Sequence, residues 1–254
     1  MRSIALGAMK LGKNAARHDS RTLELAAYLT AKLPLAPESV DFFRKVKRWP
    51  MMANNKTQDC TCAAAGHMIQ EWTANASTNE VVLSDREIIS AYAAISGYNP
   101  RTGEHDTGAT ALDVLNFWRR SGIGKHKIRA YAALEPKNLE HIRITVYLFG
   151  SSYFGFQLPA SAKGQHVWAV PPSGGAGPGA PGSWGGHAVP VVGYDARTVT
   201  VVSWGHLIRA TWGFVQMYCD EAYAVLSDDW LRQNKTPEGF SLTALDGDLK
   251  AVTA

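Results

Sequence analysis

The stretch Pro50-Met-Met-Ala-Asn54-Asn-Lys-Thr-Gln-Asp-Cys60-Thr-Cys62, followed by Ala63-Ala-Ala-Gly-His-Met-Ile-Gln-Glu-Trp72, decides how this chain is read. The first part carries Pro, Asn and Asp, which favour turns, and the second is a run of helix formers. Cys60 therefore stands where a loop enters a helix. The positive end of a helix lowers a thiol pKa, and so does a neighbouring imidazole. A thiol nucleophile needs such a base, and the two partners lie far apart in sequence. The candidate base is His187, which opens the apolar run His187-Ala-Val-Pro-Val-Val-Gly-Tyr194. By composition alone, a cysteine in apolar surroundings is more often a small buried hydrophobe. A loop-to-helix cysteine and a distant strand histidine are the two parts a thiol nucleophile needs.

The segment after His187 sharpens the expectation. Tyr194-Asp-Ala-Arg197 is the turn-like piece between two apolar strands. A hairpin centred there sets His187 across from about Trp204, with Val202, Ser203 and Gly205 beside it. An indole at that point would shield an imidazole hydrogen bond from water and strengthen it.

Working outward, 254 residues with 46% hydrophobic content are enough for one domain, divided into two lobes around a cleft. A net charge of +4 is mild, and the densest basic patch, Arg44, Lys45, Lys47 and Arg48, reads as a solvated helix face rather than a nucleic-acid site. Three cysteines make no disulfide framework and suit a reducing compartment. The apolar run Ile4–Met9 is too short for a signal sequence or a membrane span, and no later run reaches ~18 apolar residues. A soluble, non-secreted, cytoplasmic protein with no membrane partner is expected; association with a virion or other assembly stays open. Cys60, Cys62 and His67 suggest zinc, but no fourth ligand stands at a recognisable spacing. His67 lies ~10 Å along the helix from Cys60, too far to be the base. No metal and no cofactor are expected.

The first half reads as helices: about Ser20–Lys32, stopped by Pro34; Glu38–Lys47; the Cys60 helix; one opened by the capping box Ser84-Asp-Arg-Glu87 and stopped by Gly97; and one capped by Thr110 and ended by Gly122. The second half reads as strands at Ile144–Phe149, Ala188–Tyr194, Thr198–Ser203 and Glu221–Leu226. Pro171–Gly186, rich in Gly and Pro, reads as a loop that is either a surface insertion or a rim over the cleft. Helices followed by strands indicate an α+β architecture.

These residues resemble the papain-like cysteine peptidases over about residues 37–230. Pro37-Glu-Ser-Val-Asp-Phe42 looks like the start of the mature enzymes, and Pro50-Met-Met-Ala-Asn54 is similar to the segment whose last residue, six before the nucleophile, donates to the oxyanion. Leu83-Ser84-Asp-Arg-Glu87-Ile resembles the start of their next helix, His187-Ala-Val-Pro-Val-Val-Gly-Tyr194 their histidine strand, and Ser203-Trp204-Gly205 with Trp212-Gly213 their Trp-Gly motifs. The resemblance implies a two-lobe fold, an N-terminal helical lobe and a C-terminal antiparallel β lobe, with the cleft between them. It divides the chain into an arm (1–36), the papain-like domain (37–235) and a tail (236–254). It implies a cysteine peptidase acting on a peptide or protein substrate, with Cys60 as nucleophile, His187 as base, Asn54 and the Cys60 N–H at the oxyanion, Gly108 on a substrate-pairing rim and Trp204 beside the histidine.

The departures are specific. Asn54 replaces Gln, Thr61 replaces Trp, and Val202 or Ser203 stands where Asn orients the histidine. Of these two, only Ser203 can accept an Nδ1–H bond, so Ser203 is the candidate orienter. No counterpart of the family's long inhibitory propeptide is expected. Two other readings stay open: an inactive papain-fold module that binds peptides or builds an assembly, and an amidase or acyltransferase with a non-peptide substrate. Oligomeric state has no signature here.

Overall fold

The computed structural model describes residues 9–19, 22–24, 35–77 and 79–231. Ala63-Ala-Ala-Gly66 gives helix α1 (Cys60–Ala76) a smooth wall, and the helix is buried along nearly its whole length. A Cβ at Gly66 would lie 2.6 Å from Met52 Sδ, so the close approach depends on glycine. Helix α2 (Asp85–Ser96) starts at the expected capping box, with Ser84 and Glu87 exchanging bonds, and ends at Gly97 with φ +78°. Helix α3 (Ala111–Arg120) is capped by Thr110, which accepts the Asp113 N–H. Its Trp118 stacks on Trp72 of α1 at 5.5 Å. These three helices bury one core around Met68, Trp72, Ile88 and Leu115.

The other lobe is built on a single sheet. Its strands are β1 (Leu23–Glu24), β2 (Ile128–Leu134), β3 (Ser152–Leu158), β4 (Val167–Trp168), β5 (Gly185–Tyr194), β6 (Thr198–Ser203), β7 (His206–Thr211) and β8 (Cys219–Ser227). They are ordered β1-β2-β8-β3-β5-β6-β7-β4, antiparallel except at the β1–β2 and β4–β7 pairs. Helices α4 (Leu139–Phe149) and α5 (Trp212–Tyr218) pack against it. Strand β5 also packs on α1, so the elements that carry His187 and Cys60 meet where the two lobes join. The α+β architecture is as expected.

Several local expectations fail for physical reasons. Ile144–Phe149 belongs to α4, not to a strand. Asn138 caps that helix through the His141 N–H. Ile142, Val146 and Phe149 then fall on one buried face, and this tertiary burial overrides the β preference of Ile-Thr-Val. Two indoles complete it: Trp230 Nε1 donates to Leu148 O and Trp72 Nε1 to Phe149 O, both at 2.8 Å, which satisfies carbonyls at the helix end. Within the expected helix Ser20–Lys32, Leu23–Glu24 form β1 instead, beside Ala132 and Ala133 of β2, where an open edge offers backbone partners, and Thr22 before them is a bend; positions 20–21 and 25–32 lie outside the described residues. In Glu38–Lys47 only Phe42–Lys45 turns, as a 3₁₀ helix, because Val40 is engaged in a bridge with Tyr194. Sequence reading gave no strand at β2, β3 or β7 and no helix at α5. The tail 236–254 lies outside the described residues.

Candidate active site

Cys60 is the first residue of α1, and the loop before it is bent by Met52 and Ala53, both with left-handed backbones (φ 51° and 65°). The bend buries Asn54, whose Nδ2 donates to Asp59 Oδ1 at 3.2 Å and to Thr57 O at 3.4 Å. Both amide hydrogens are thus engaged within the loop. Burial pushes the Asp59 carboxyl up to about 8, against the bonds from Thr57 and Asn54.

From the other lobe, β5 brings the Ala188 N–H to 3.5 Å from Cys60 Sγ. His187, one residue earlier, is buried, and its Nε2 lies 2.6 Å from Ser203 Oγ. Its Nδ1 is buried without a hydrogen-bond partner. Trp204 lies parallel over the imidazole, 4.3 Å away with planes 12° apart, and Trp184 stacks on the far side of Trp204 at 5.4 Å. The Gly/Pro-rich segment therefore supplies part of the wall around the histidine. Trp204 and Gly205 have φ values of 48° and 72°, the two-residue reverse turn that suits the twist of β6 and β7. For a tryptophan this backbone costs on the order of 1 kcal/mol; in return the indole covers the ring.

Two expectations are corrected here. The nitrogen facing Ser203 is Nε2, not Nδ1. The β5–β6 ladder pairs Val191 with Val201 and then slips by a bulge before Gly193. Continued to its end, that register sets His187 beyond Ser203 rather than level with it, so only the distal nitrogen of the ring reaches the hydroxyl. The second correction concerns the thiol. Cys60 has no exposed surface, and burial pushes it up to about 12; hydrogen bonds from the backbone N–H groups of Ala188 and Gly12 oppose this without overcoming it. Burial likewise pushes His187 down to about 3. In this arrangement desolvation favours the neutral form of both groups.

The cover is the chain's own N-terminal arm. Met9–Asn14 runs through the junction of the lobes as a strap. The Lys10 N–H donates to Asn54 O at 3.2 Å, and Lys10 O accepts Trp204 Nε1–H at 3.0 Å. Gly12 O accepts the Ala109 N–H at 2.9 Å, the Asn14 N–H donates to Ala109 O at 3.0 Å, and the Lys13 N–H donates to Gly186 O at 3.1 Å. A Cβ at Gly12 would lie 1.8 Å from Gln58 O, so only glycine passes Cys60 this closely. Gly108, at the expected rim, has φ +77° and no room for a side chain, since a Cβ there would lie 2.1 Å from Gly12 O.

The structure thus gathers His187, Ser203 and Trp204, sets Cys60 against Ala188 on the same strand, and brings Asn54 and Gly108 to the strap that covers Cys60. Sequence reading missed Gly12, Lys13, Asp59, Ala188, Trp184, Asp220 and Glu221 as parts of this region. The adjacent acids at 220 and 221, at the head of an apolar strand, were the one visible oddity among them. His67 sits apart on α1, with Nε2 2.9 Å from Pro50 O. Among the described residues no group of three or more His, Cys, Asp or Glu is arranged to hold a metal ion, and no helix is long and apolar enough to cross a membrane.

No protein-family model and no curated protein matches the sequence. Solved structures do match the fold. Xylellain, a cysteine protease from Xylella fastidiosa, aligns with a TM-score of 0.65 at 16% identity over 89% of this chain and 97% of its own. Procathepsin B S9 from Trypanosoma congolense aligns with a TM-score of 0.61 at 12% identity over 89% of each chain. The cysteine protease and lectin-like domains of Cwp84, a surface-layer-associated protein of Clostridium difficile, align with a TM-score of 0.60 at 10% identity over 87% of this chain and 57% of that one. At such identities the likeness speaks to architecture, and with the lobe order described above it gives the conclusion that this chain has the papain-like two-lobe fold, with the helix that starts at Cys60 packed against the strand that carries His187.

Proposed function

We propose that the protein is a cysteine peptidase, a thiol-dependent amide hydrolase held closed by its N-terminal strap. The observation that carries this reading is the state of His187: Nε2 is tied to Ser203 at 2.6 Å under the Trp204 ring, and Nδ1 has no partner on an element whose next residue touches Cys60 Sγ. With its hydrogen on Nε2 and donated to Ser203 Oγ, the ring keeps Nδ1 free to take the thiol proton. Sγ then attacks the amide carbonyl carbon, the carbonyl oxygen gains the negative charge, and His187 returns the proton to the leaving amine. Water hydrolyses the thioester with His187 again acting as base. The Cys60 backbone N–H and Asn54 Nδ2 serve the oxyanion. For Asn54 this requires the long bond to Thr57 O to give way. A substrate backbone takes the strap's path, pairing with Ala109 and Gly186.

The test is hydrolysis of a fluorogenic peptide-amide pool by the full chain, by a strap-loosened Gly12→Ala chain and by Cys60→Ala. Turnover that rises in Gly12→Ala, vanishes in Cys60→Ala and is blocked by a thiol-directed epoxide mapped to Cys60 is the expected result. A Gly12→Ala chain whose Cys60 reacts with iodoacetamide while no peptide is cut would overturn it. A second reading, a peptide-binding module without turnover, has one observation in its favour: the complete burial of a neutral Cys60 and a neutral His187. That last result would select it.

A further inference from the structure

Lys13 has a setting that a loose arm does not need. Its side chain has no exposed surface, and its Nζ lies 2.9 Å from Asp220 Oδ2, 2.9 Å from Glu221 Oε1 and 3.0 Å from Asn14 O. The two carboxylates are themselves held by neighbours. Gln157 Nε2 donates to Asp220 Oδ2, and the Tyr223 hydroxyl donates to Glu221 Oε2, each at 2.8 Å. The floor is Gly155 of β3, where a Cβ would lie 2.2 Å from Lys13 Cε and 2.6 Å from Glu221 Cγ. A glycine in the middle of an otherwise bulky strand, Ser152-Tyr-Phe-Gly-Phe-Gln-Leu158, thus makes room for the stem of a long cation.

Taken without Lys13, this is a pocket on the sheet lobe with two adjacent carboxylates, one of them 6% exposed, aimed at a single point. Burying them with no cation is strongly unfavourable. Burial alone would lower the Lys13 pKa, but Glu221 and Asp220 reverse this and hold it above the usual lysine value. The pocket also has a fixed place relative to the chemistry. The residue before Lys13 touches Cys60 Sγ through its backbone N–H, and the Lys13 N–H is bonded to the carbonyl just before His187. Any extended chain that follows the strap's backbone bonds sends one side chain into this pocket.

We propose that Asp220, Glu221, Gln157 and Gly155 form a substrate subsite selective for a basic side chain, and that Lys13 occupies it as the chain's own stand-in. The substrate class is then a peptide or protein with lysine, and less well arginine, one residue from the position that lies against Cys60. Lysine ranks first because the stem channel over Gly155 is narrow and the acceptors converge on one ammonium rather than on a planar fork. This inference rests on the peptidase reading only for the word substrate; the pocket itself is a cation-recognition site whether or not the bound chain is cut.

The experiment uses the full-length Lys13→Ala protein, which empties the pocket, with Lys13→Met as the replacement should the alanine variant fail to fold. Acetylated peptide amides in which lysine, arginine, norleucine and glutamate are scanned through each position are ranked in two ways: by kcat/KM, and by protection of Cys60 from iodoacetamide. At one position lysine should exceed norleucine by roughly 100-fold, the scale of one desolvated charge pair. Adding Asp220→Asn and Glu221→Gln should bring that ratio below about threefold. The same ranking in protection with no cleavage would sustain the subsite and overturn the peptidase reading. Cleavage with a flat ranking across the four side chains would overturn the subsite and leave the peptidase reading standing.

Discussion

Reach decides which nitrogen His187 turns to Ser203. A serine hydroxyl sits close to its own backbone, and the imidazole presents its distal nitrogen to it, closing the contact at 2.6 Å. A neutral hydroxyl holds a ring less firmly than a carboxylate does, and the indole above it keeps water from competing. If the proposed chemistry holds, Ser203→Ala should therefore lower kcat/KM of the strap-loosened protein by roughly tenfold, below the loss known for an aspartate orienter. Ser203→Asn should hold or raise it. Steady-state kinetics that ignore both changes would show that the Trp204 stack alone holds the ring. Asn54 Nδ2 bonds Asp59, and the proposed mechanism asks it to serve an oxyanion as well. Asn54→Ala should cost about 10²–10³ in kcat if the second job is real. A fall in melting temperature with kcat intact in the surviving enzyme would leave Asn54 as the residue that restrains the buried Asp59.

At the scale of elements, what sequence revealed and what it hid divide along one line. Local signals were legible: the Ser84–Glu87 capping box, the Thr110 cap, Gly97 as a stop and the Cys60 loop-to-helix junction all depend on neighbours within one turn. Signals that depend on distant partners were not. α4 reads as a strand until the Trp72 and Trp230 indoles supply its terminal carbonyls from far along the chain. β3 hides because Ser152-Tyr-Phe-Gly-Phe-Gln-Leu158 is buried on both faces and shows no alternation. For the site, the His187–Ser203 contact was readable from the hairpin register, and the meeting of the Cys60 helix with the His187 strand from order and spacing. Lys13 was not, since a lysine in an arm carries no mark of its destination. Helix α1 offers a clean pH test. Burial pushes His67 down to about 4, below its ordinary 6.5. The folded state therefore binds fewer protons than the unfolded state between those values. Its contribution is complete above pH 6.5 and is lost as pH falls toward 4, at up to about 1.4 kcal/mol per pH unit. Urea unfolding from pH 7 to 4 should show a shallower loss in His67→Gln than in the parent. Parallel curves would mean that His67 protonates in place.

The whole molecule is two lobes with a strap drawn between them, and its resting chemistry follows from that closure. Cys60 starts a helix, yet burial pushes its thiol up, and Gly12 of the strap is among the groups that touch it. The strap is held by short backbone bonds to both lobes and by one buried ammonium, so loosening it is a matter of geometry at few positions. Gly12 is the tightest of them: a methyl group there would overlap Gln58 O, backbone that cannot swing aside. Gly12→Ala should therefore unseat the strap without touching either lobe. Once water reaches Sγ, the thiol returns from about 12 toward its ordinary 9.0 or below. A full return to 9.0 raises its thiolate fraction at neutral pH by roughly a thousandfold. Iodoacetamide labelling at pH 7, read by peptide mass mapping, should be slow at all three cysteines of the parent and faster by at least about tenfold at Cys60 alone in Gly12→Ala. Cys62 and Cys219, buried within the two lobes rather than under the strap, give the internal control. Equal acceleration at all three would mean that the substitution unfolds the chain, and no acceleration anywhere would mean that the lobes, and not the strap, keep Cys60 from water.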